Sequence, residues 1–376
     1  MNAAQNQQDP YGIDVAACRT RQQRLLEFMW ATDVDLALIT RIENIQWLAG
    51  PRFNWCFAPC AALDANGRFT LAAPNAAPDA AAAHNVVSYP AQRLATLRND
   101  QAQASAAALR EALGGEKVRR LAVEFSACGP HYTSAFAYDA LVDIEPEVYR
   151  LRRQKDPDEL ARIRKAIAGT GAMYTRARAI IRPGISEIEV FNQLQAAAVE
   201  ELGEMLTGTG NDYSVGAQGG PPRRGALAEA GQLYILDLGP AFRGYFADNC
   251  RTFSVDRKPT PPQLEAWQRI VEVHAMVQET IRPGLSCKQL YHDAKAMLEN
   301  TRSWTFPHHL GHGIGLFPHE APHLNPHWDD VLEVGEVVAV EPGLYSPELN
   351  PGIRIENNYL VTGTGAELLS PFPLEL

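Results

Sequence analysis

The chain has 376 residues, more than one hydrophobic core usually spans, since single cores stop growing near ~250–300 residues, so two domains are expected. Its 46% hydrophobic content is ordinary for a globular protein, and a net charge of −10 argues against a nucleic-acid partner, which needs a basic face. No apolar run approaches the ~18 residues of a membrane span, and the polar opening Met1–Pro10 lacks the apolar core of a signal peptide, so no membrane partner and a cytoplasmic location are expected.

Residues 1–13 read as a loose tail. An amphipathic stretch from Cys18 to Trp30 leads into Val34–Thr40, a buried-strand signal. The alanine-rich segments 71–83 and 103–113 read as helices, and Arg120–Phe125 as a further strand. Six cysteines (18, 56, 60, 128, 250, 287) are scattered and lack zinc-site pairing, so structural thiols in a reducing compartment are expected. A charged stretch, Tyr149–Asp156, separates this α/β region from the C-terminal part of the chain. Asp156, Pro157 and Glu159 then carry helix-start chemistry: an N-cap, a proline at the first turn and a capping-box acid.

An internal echo comes next. Ile181-Arg182-Pro183-Gly184-Ile185-Ser186 returns one hundred residues later as Ile281-Arg282-Pro283-Gly284-Leu285-Ser286, each copy ending one helix and opening another. The second copy also begins with a cap and prolines, Thr260-Pro261-Pro262-Gln263. The pattern implies a duplicated helix–helix–strand unit with pseudo-twofold symmetry, its halves cradling a site between them.

That site is written in acids and histidines. Leu233–Leu238 and Tyr245–Phe253 read as strands joined by a turn over Pro240–Gly244. Asp237 and Asp248 are equidistant from a turn centre near Phe242 and Arg243, so a symmetric hairpin makes them cross-strand neighbours, with Cβ atoms roughly 4.5–5.5 Å apart. Glu341 and Glu356 are likewise symmetric about the Pro347–Gly352 turn. Between the pairs lies His308-His309-Leu310-Gly311-His312-Gly313-Ile314-Gly315-Leu316-Phe317-Pro318-His319-Glu320. Four carboxylates in apolar settings cannot all stay ionised without compensation, and two dications roughly 3.5–4 Å apart would supply it. The set is rich in oxygen, with one imidazole and no thiolate, which favours Mn2+ and admits Co2+, Zn2+ or Fe2+.

The motifs Asp-x-Gly…Gly-Tyr-x-x-Asp-x-x-Arg-Thr, Gly-His-Gly-Ile-Gly-Leu-x-x-His-Glu, Glu-Pro-Gly-Leu-Tyr and Gly-Ile-Arg-Ile-Glu span 237–356 and resemble the pita-bread metalloenzymes. Within that superfamily the likeness is to the Xaa-Pro dipeptidase (prolidase) and aminopeptidase P branch, with creatinase a cousin. Residues 19–147 resemble the creatinase/prolidase N-terminal domain more loosely, through Asn44-Ile45-Gln46-Trp47-Leu48-Ala49-Gly50. The resemblance implies an α/β two-domain fold: a creatinase/prolidase-like N-terminal domain over 14–148, a linker at 149–156, and a pseudo-twofold α+β pita-bread catalytic domain over 157–376.

It implies that Asp237 chelates one metal, that Asp248 and Glu356 bridge both, and that His312 and Glu341 complete the other. A hydroxide bridging the metals would be the nucleophile, Glu341 would shuttle the proton, His308 and His319 would face the substrate, and Arg354 would orient a bridging acid. His309, next to His308, leaves the register there open, whereas His323 and His327 read as surface residues of the next loop. A homodimer is implied too, with small peptides as substrates. One departure stands out: these enzymes carry a histidine in the loop before Asp237, and this chain has none between His131 and His274. In that loop Arg223 or Arg224 would face the pocket and favour an anionic substrate group, or else belong to a solvated basic loop. The departure keeps a second reading open, a hydrolase or lyase of a non-peptide metabolite resembling creatine or ectoine.

Overall fold

The structure is a computed structural model and describes residues 9–376 except 116, 211, 300 and 301. Most of the expected tail, residues 1–8, lies outside the described residues. The chain divides into two compact units that part between Arg152 and Arg153.

The first unit is built on a mixed six-stranded sheet. Its order is Asn85–Tyr89, Phe69–Pro74, Cys60–Asp64, Leu36–Ile39, Val118–Val123, Tyr138–Asp143. Helix Val15–Ala31, capped by Asp14, covers the amphipathic stretch, and helix Gln101–Ala112 the second alanine-rich segment. The first alanine-rich segment is not helical. Residues Phe69–Pro74 form a buried strand, and 75–84 are irregular. Alanine's helix preference yields here to burial in a central strand, and Pro74 and Pro78 bar a helix from continuing. The charged stretch 149–156 holds the end of helix Glu145–Arg153 and the break before helix Pro157–Ile180. All six cysteines are free. No helix among the described residues is long and apolar enough to cross a membrane.

The second unit carries the duplication nearly bond for bond. Helices Pro157–Ile180 and Pro261–Thr280 both start with a capping box, Asp156 with Glu159 and Thr260 with Gln263. Both end in a turn where glycine takes a left-handed conformation, Gly184 at φ +86° and Gly284 at φ +87°, which a side chain would strain. Gly184 N–H donates to Ala228 O, and Gly284 N–H to Leu332 O. Ser186 and Ser286 then cap helices Glu187–Leu202 and Cys287–Leu298. Each helical pair covers its own apolar layer. Tyr174, Val190 and Leu194 pack on Leu236 and Phe253, while Ile270, Val273 and Leu290 pack on Val338 and Val340.

The strands described are the hairpin Leu233–Leu238 with Asn249–Ser254, continued at its tip by Ala241–Phe242 with Tyr245–Phe246, a five-stranded sheet, and the short pair Gly343–Tyr345 with Gly352–Arg354. The five-stranded sheet runs Glu320–Leu324, Gly311–Gly313, Val337–Val340, Asn357–Val361, Ala366–Leu368. Val340 pairs with Asn357 and Gly343 with Arg354 in one continuous register, interrupted only where Glu341 and Glu356 stand.

Candidate metal centre

The first acidic hairpin turns one residue later than its sequence symmetry implies. Phe242 pairs with Tyr245, and Asp237 with Cys250, so the turn is the two-residue step Arg243-Gly244. Both turn residues have positive φ, +48° and +90°, the type I′ geometry that suits the right-handed strand twist. Asp237 and Asp248 are therefore diagonal rather than directly opposed. Both still face the side that Cys250 faces, because side chains alternate with a period of two. Each carboxyl acts on the other through its charge, and with burial the Asp237 carboxylate pushes the Asp248 carboxyl up.

The second pair obeys the expected symmetry, and Glu341 and Glu356 face each other across the gap between two ladders. Arg251, itself buried, clamps the Glu356 backbone: Nη1 donates to Glu356 O at 2.7 Å and to Cys250 O at 2.8 Å, and Nη2 to Asn357 Oδ1 at 2.7 Å.

His312 enters on the central strand Gly311–Gly313. The flanking glycines are steric necessities: a Cβ at Gly311 would overlap the Ala339 carbonyl, and one at Gly313 the Ala321 carbonyl. The His312 Nδ1–H donates to Gly313 O at 3.0 Å, the tautomer that frees Nε2 in a neutral ring, and Nε2 lies 3.5 Å from Glu341 Oε1 and 3.8 Å from Asp248 Oδ2. That tautomer is the one a metal ligand needs.

Potential ligand atoms of Asp248, His312 and Glu356 all lie within 4.8 Å of one another, and so do those of Asp237, Glu341 and Glu356. The two groups share Glu356. Its Oε2 is buried without a hydrogen-bond partner among the described residues, a costly condition for a carboxylate. Burial and the neighbouring acids push the Asp248 and Glu356 carboxyls well above their ordinary range. Asp237, raised by burial and lowered by Arg354, reaches about 6. Burial also works against ionised Glu341, but the hydrogen bonds and charges of His309 and His312 outweigh it and hold this carboxyl well below the usual range. Shared oxygen donors, one correctly turned imidazole and an orphaned carboxylate oxygen fit a pair of hard or borderline divalent ions.

The same groups line a cavity of about 270 Å³, with Thr209, Gly210, Asp212, Phe246, Pro318 and His319 completing its wall. The His319 ring stacks on His312 at 3.6 Å between centroids, and burial with the neighbouring imidazoles lowers it to about 4. Arg354 extends Nη2 to Asp237 Oδ2 at 2.7 Å and pairs with Asp212 through the same nitrogen.

Neither His308 nor His309 lines that cavity, but ring nitrogens of both lie within 4.8 Å of a Glu341 oxygen, and His308 is tied down by its neighbours. Its Nδ1–H donates to His309 O at 2.8 Å and its Nε2 accepts from the Tyr345 hydroxyl at 2.9 Å, and burial lowers it to about 4. It is His309 that reaches the acids, with Nε2 at 2.7 Å from Glu341 Oε1. Arg223 and Arg224 do not line the cavity either. The Arg223 guanidinium is bonded to both oxygens of Glu187 and to Val215 O, because Glu187 is a fully buried carboxylate that needs a cation; Arg224 is exposed. The acid Asp212 faces the centre from that loop instead. His323 lies in strand Glu320–Leu324, paired with His312, with Nδ1 at 2.8 Å from Asp330 Oδ2, while His327 is exposed. Sequence reading left the choice between His308 and His309 open and did not single out Asp212. The doubled histidine was the signal for that choice, and an acid in a glycine-rich loop carried none.

The sequence profile of Metallopeptidase family M24 matches residues 161–363, more than half of the chain. The chain belongs to this family. The Creatinase/Prolidase N-terminal domain matches residues 21–154. Among relatives, an uncharacterized peptidase of Staphylococcus aureus (strain USA300) is 29% identical over 244 residues, 64% of this chain and 68% of that protein. Among solved structures, the Xaa-Pro dipeptidase from Bacillus anthracis is 26% identical with a TM-score of 0.78, covering 96% of this chain and 99% of that one. The prolidase from Pyrococcus horikoshii OT3 shares the fold at 22% identity and a TM-score of 0.79, covering 95% and 99%. The chain thus has the pita-bread architecture of this metallopeptidase family, preceded by a creatinase-type domain, and the family implies divalent metal ions.

Proposed function

We propose that this protein hydrolyses Xaa-Pro bonds in dipeptides or short peptides, with two divalent cations, most readily Mn2+, held by Asp237, Asp248, His312, Glu341 and Glu356. The observation that carries the reading is the pair of three-ligand groups sharing Glu356, whose Oε2 otherwise has no partner among the described residues. Two such ions, when bound, supply a water-derived nucleophile near neutral pH and polarise the scissile carbonyl.

The chain's own groups do the rest. Glu341, ionised and in contact with His309, accepts the proton released by the attacking water and passes it towards the leaving nitrogen. His319, neutral and exposed at the cavity wall, still donates an N–H across the cavity to the developing oxyanion. Arg354 fixes the orientation of Asp237, and His308 acts from behind through the Tyr345 hydroxyl, which Arg354 Nη1 also approaches at 3.4 Å. A cavity of about 270 Å³ suits a small substrate. An Xaa-Pro bond lacks the N–H that enzymes reading extended backbone use, which favours a dedicated site.

The proposal includes a homodimer, supported by the family resemblance, and a cytoplasmic setting, supported by six free cysteines. The decisive experiment gives the purified, Mn2+-loaded protein Ala-Pro, Gly-Pro, Xaa-Pro-Xaa peptides, creatine and ectoine. Turnover of the proline peptides, lost on chelation and restored by Mn2+, is expected. Turnover confined to creatine or ectoine, or none with metal tightly bound, would replace the peptidase reading.

A further inference from the structure

Arg354 faces more negative charge than it can neutralise. Its Nη2 is shared between Asp212 and Asp237, the latter at 2.7 Å, and its Nε, 4.0 Å from Glu341 Oε2, is buried without a hydrogen-bond partner among the described residues. Asp212 is held in place from several sides. Its backbone exchanges hydrogen bonds with Asp237, N–H to O at 3.4 Å one way and 3.2 Å the other. Gly220 N–H donates to its Oδ1 at 2.6 Å, and Gly219 packs so closely that a Cβ there would overlap the carboxylate. Gln218 O accepts from Arg354 Nη1 at 3.4 Å, so the loop holds both members of the ion pair.

A guanidinium and a divalent cation compete for the same carboxylate oxygens. Arginine prefers to engage an acid with two parallel N–H bonds, and an Asp237 engaged that way would present fewer free lone pairs to a metal. Asp212 offers the guanidinium a second, rigidly placed acid. We propose that Asp212 is a positioning residue that, by sharing Arg354 Nη2, limits the guanidinium to a single-nitrogen contact with Asp237 and so keeps the rest of the Asp237 carboxylate open to a cation. This inference rests on the two-cation reading above and extends it to the loop that lacks the family's histidine.

The test is Mn2+ binding to chelator-stripped protein by titration calorimetry, with metal-free thermal unfolding beside it. D212N is expected to weaken one of the two sites about tenfold, as loss of a group that orients a metal ligand typically does, with the metal-free unfolding temperature retained. Removing the competitor as well, in D212N/R354Q, is expected to recover most of that loss, which neither a structural role for Asp212 nor simple loss of a negative charge would produce. D212E, which keeps the charge, is expected to bind as the natural protein does, and carries the test if D212N does not fold. Unchanged affinity in D212N, a double variant as weak as D212N, or weak binding by D212E overturns the proposal. If the natural protein binds no divalent ion, the functional reading fails first. If it binds two and D212N is unaffected, only this inference falls.

Discussion

In the hairpin of strands Leu233–Leu238 and Asn249–Ser254 the two acids stand diagonally, whereas around the Pro347–Gly352 turn Glu341 and Glu356 stand face to face. The first hairpin closes on a two-residue turn with positive φ at Arg243 and Gly244. The second closes on a short 3-10 turn, Pro347–Leu349, and keeps one register on both sides of its acids. The diagonal pair couples through burial and mutual charge; the facing pair divides its work, Glu341 bonded to His309 and Glu356 left with an oxygen that has no partner among the described residues. A ligand pair therefore needs a common face and a common depth, not a common register.

That contrast can be tested, beginning with its strongest consequence. Because Glu356 belongs to both ligand groups, E356A should lose both ions and lower kcat by at least about a thousandfold, while D237A should retain one ion. Elemental analysis of the two purified variants decides this, and equal stoichiometry would refute the shared role of Glu356. Next, G311A would drive a Cβ into the Ala339 carbonyl behind His312, and should cost about 3 kcal/mol of stability in denaturant unfolding. G244A places a side chain where φ is +90°, and a loss of about 1–2 kcal/mol with a lower kcat is expected if the I′ turn sets the depth of Asp248. Stability lost without any change in kcat would detach the turn from the chemistry.

The acids also carry a pH signature. In the cation-free protein Asp237, Asp248 and Glu356 keep their protons to higher pH than an unfolded chain does, whose carboxyls titrate near about 4. Above that range the native state binds more protons than the unfolded one, so these groups make stability fall as pH rises through their raised values. The lowered His308 and His319 push the other way in both forms, so it is relative to Mn2+-loaded protein that chelator-stripped protein should lose unfolding temperature between roughly pH 6 and roughly pH 8. A stripped protein with no such trend would mean that these acids titrate like solvated ones. The smallest effect on activity is expected far from the centre. E187Q removes the charge that Arg223 pairs with and turns an amide NH2 towards a buried backbone N–H, so about 1–3 kcal/mol of stability but little change in KM is expected. A marked rise in KM would return Arg223 to the substrate pocket.

The acidic cluster was legible because its logic is local. Alternating apolar residues define the strands, and Asp237, Asp248, Glu341 and Glu356 stand where solvated acids have no reason to be. The duplicated Pro-Gly-x-Ser turns were legible for the same reason: a left-handed glycine and a serine cap state their geometry in a few residues. The alanine-rich stretch 71–83 was misread because alanine accepts either a helix or a tightly packed strand, and only its neighbours in the sheet choose. His308 and His309 are indistinguishable by type, and which one meets Glu341 depends on the direction the backbone takes into strand Gly311–Gly313. Arg223 looked available until the buried Glu187 claimed it, and Asp212 looked idle until Arg354 arrived from 142 residues further along the chain. Composition and periodicity thus determined which groups could bind cations and on which elements they sit, because those are set by short-range sterics and burial. Tertiary structure decided the partner of each charge, because a buried ion takes whichever opposite charge the fold brings within a few ångströms, and sequence distance carries no information about that.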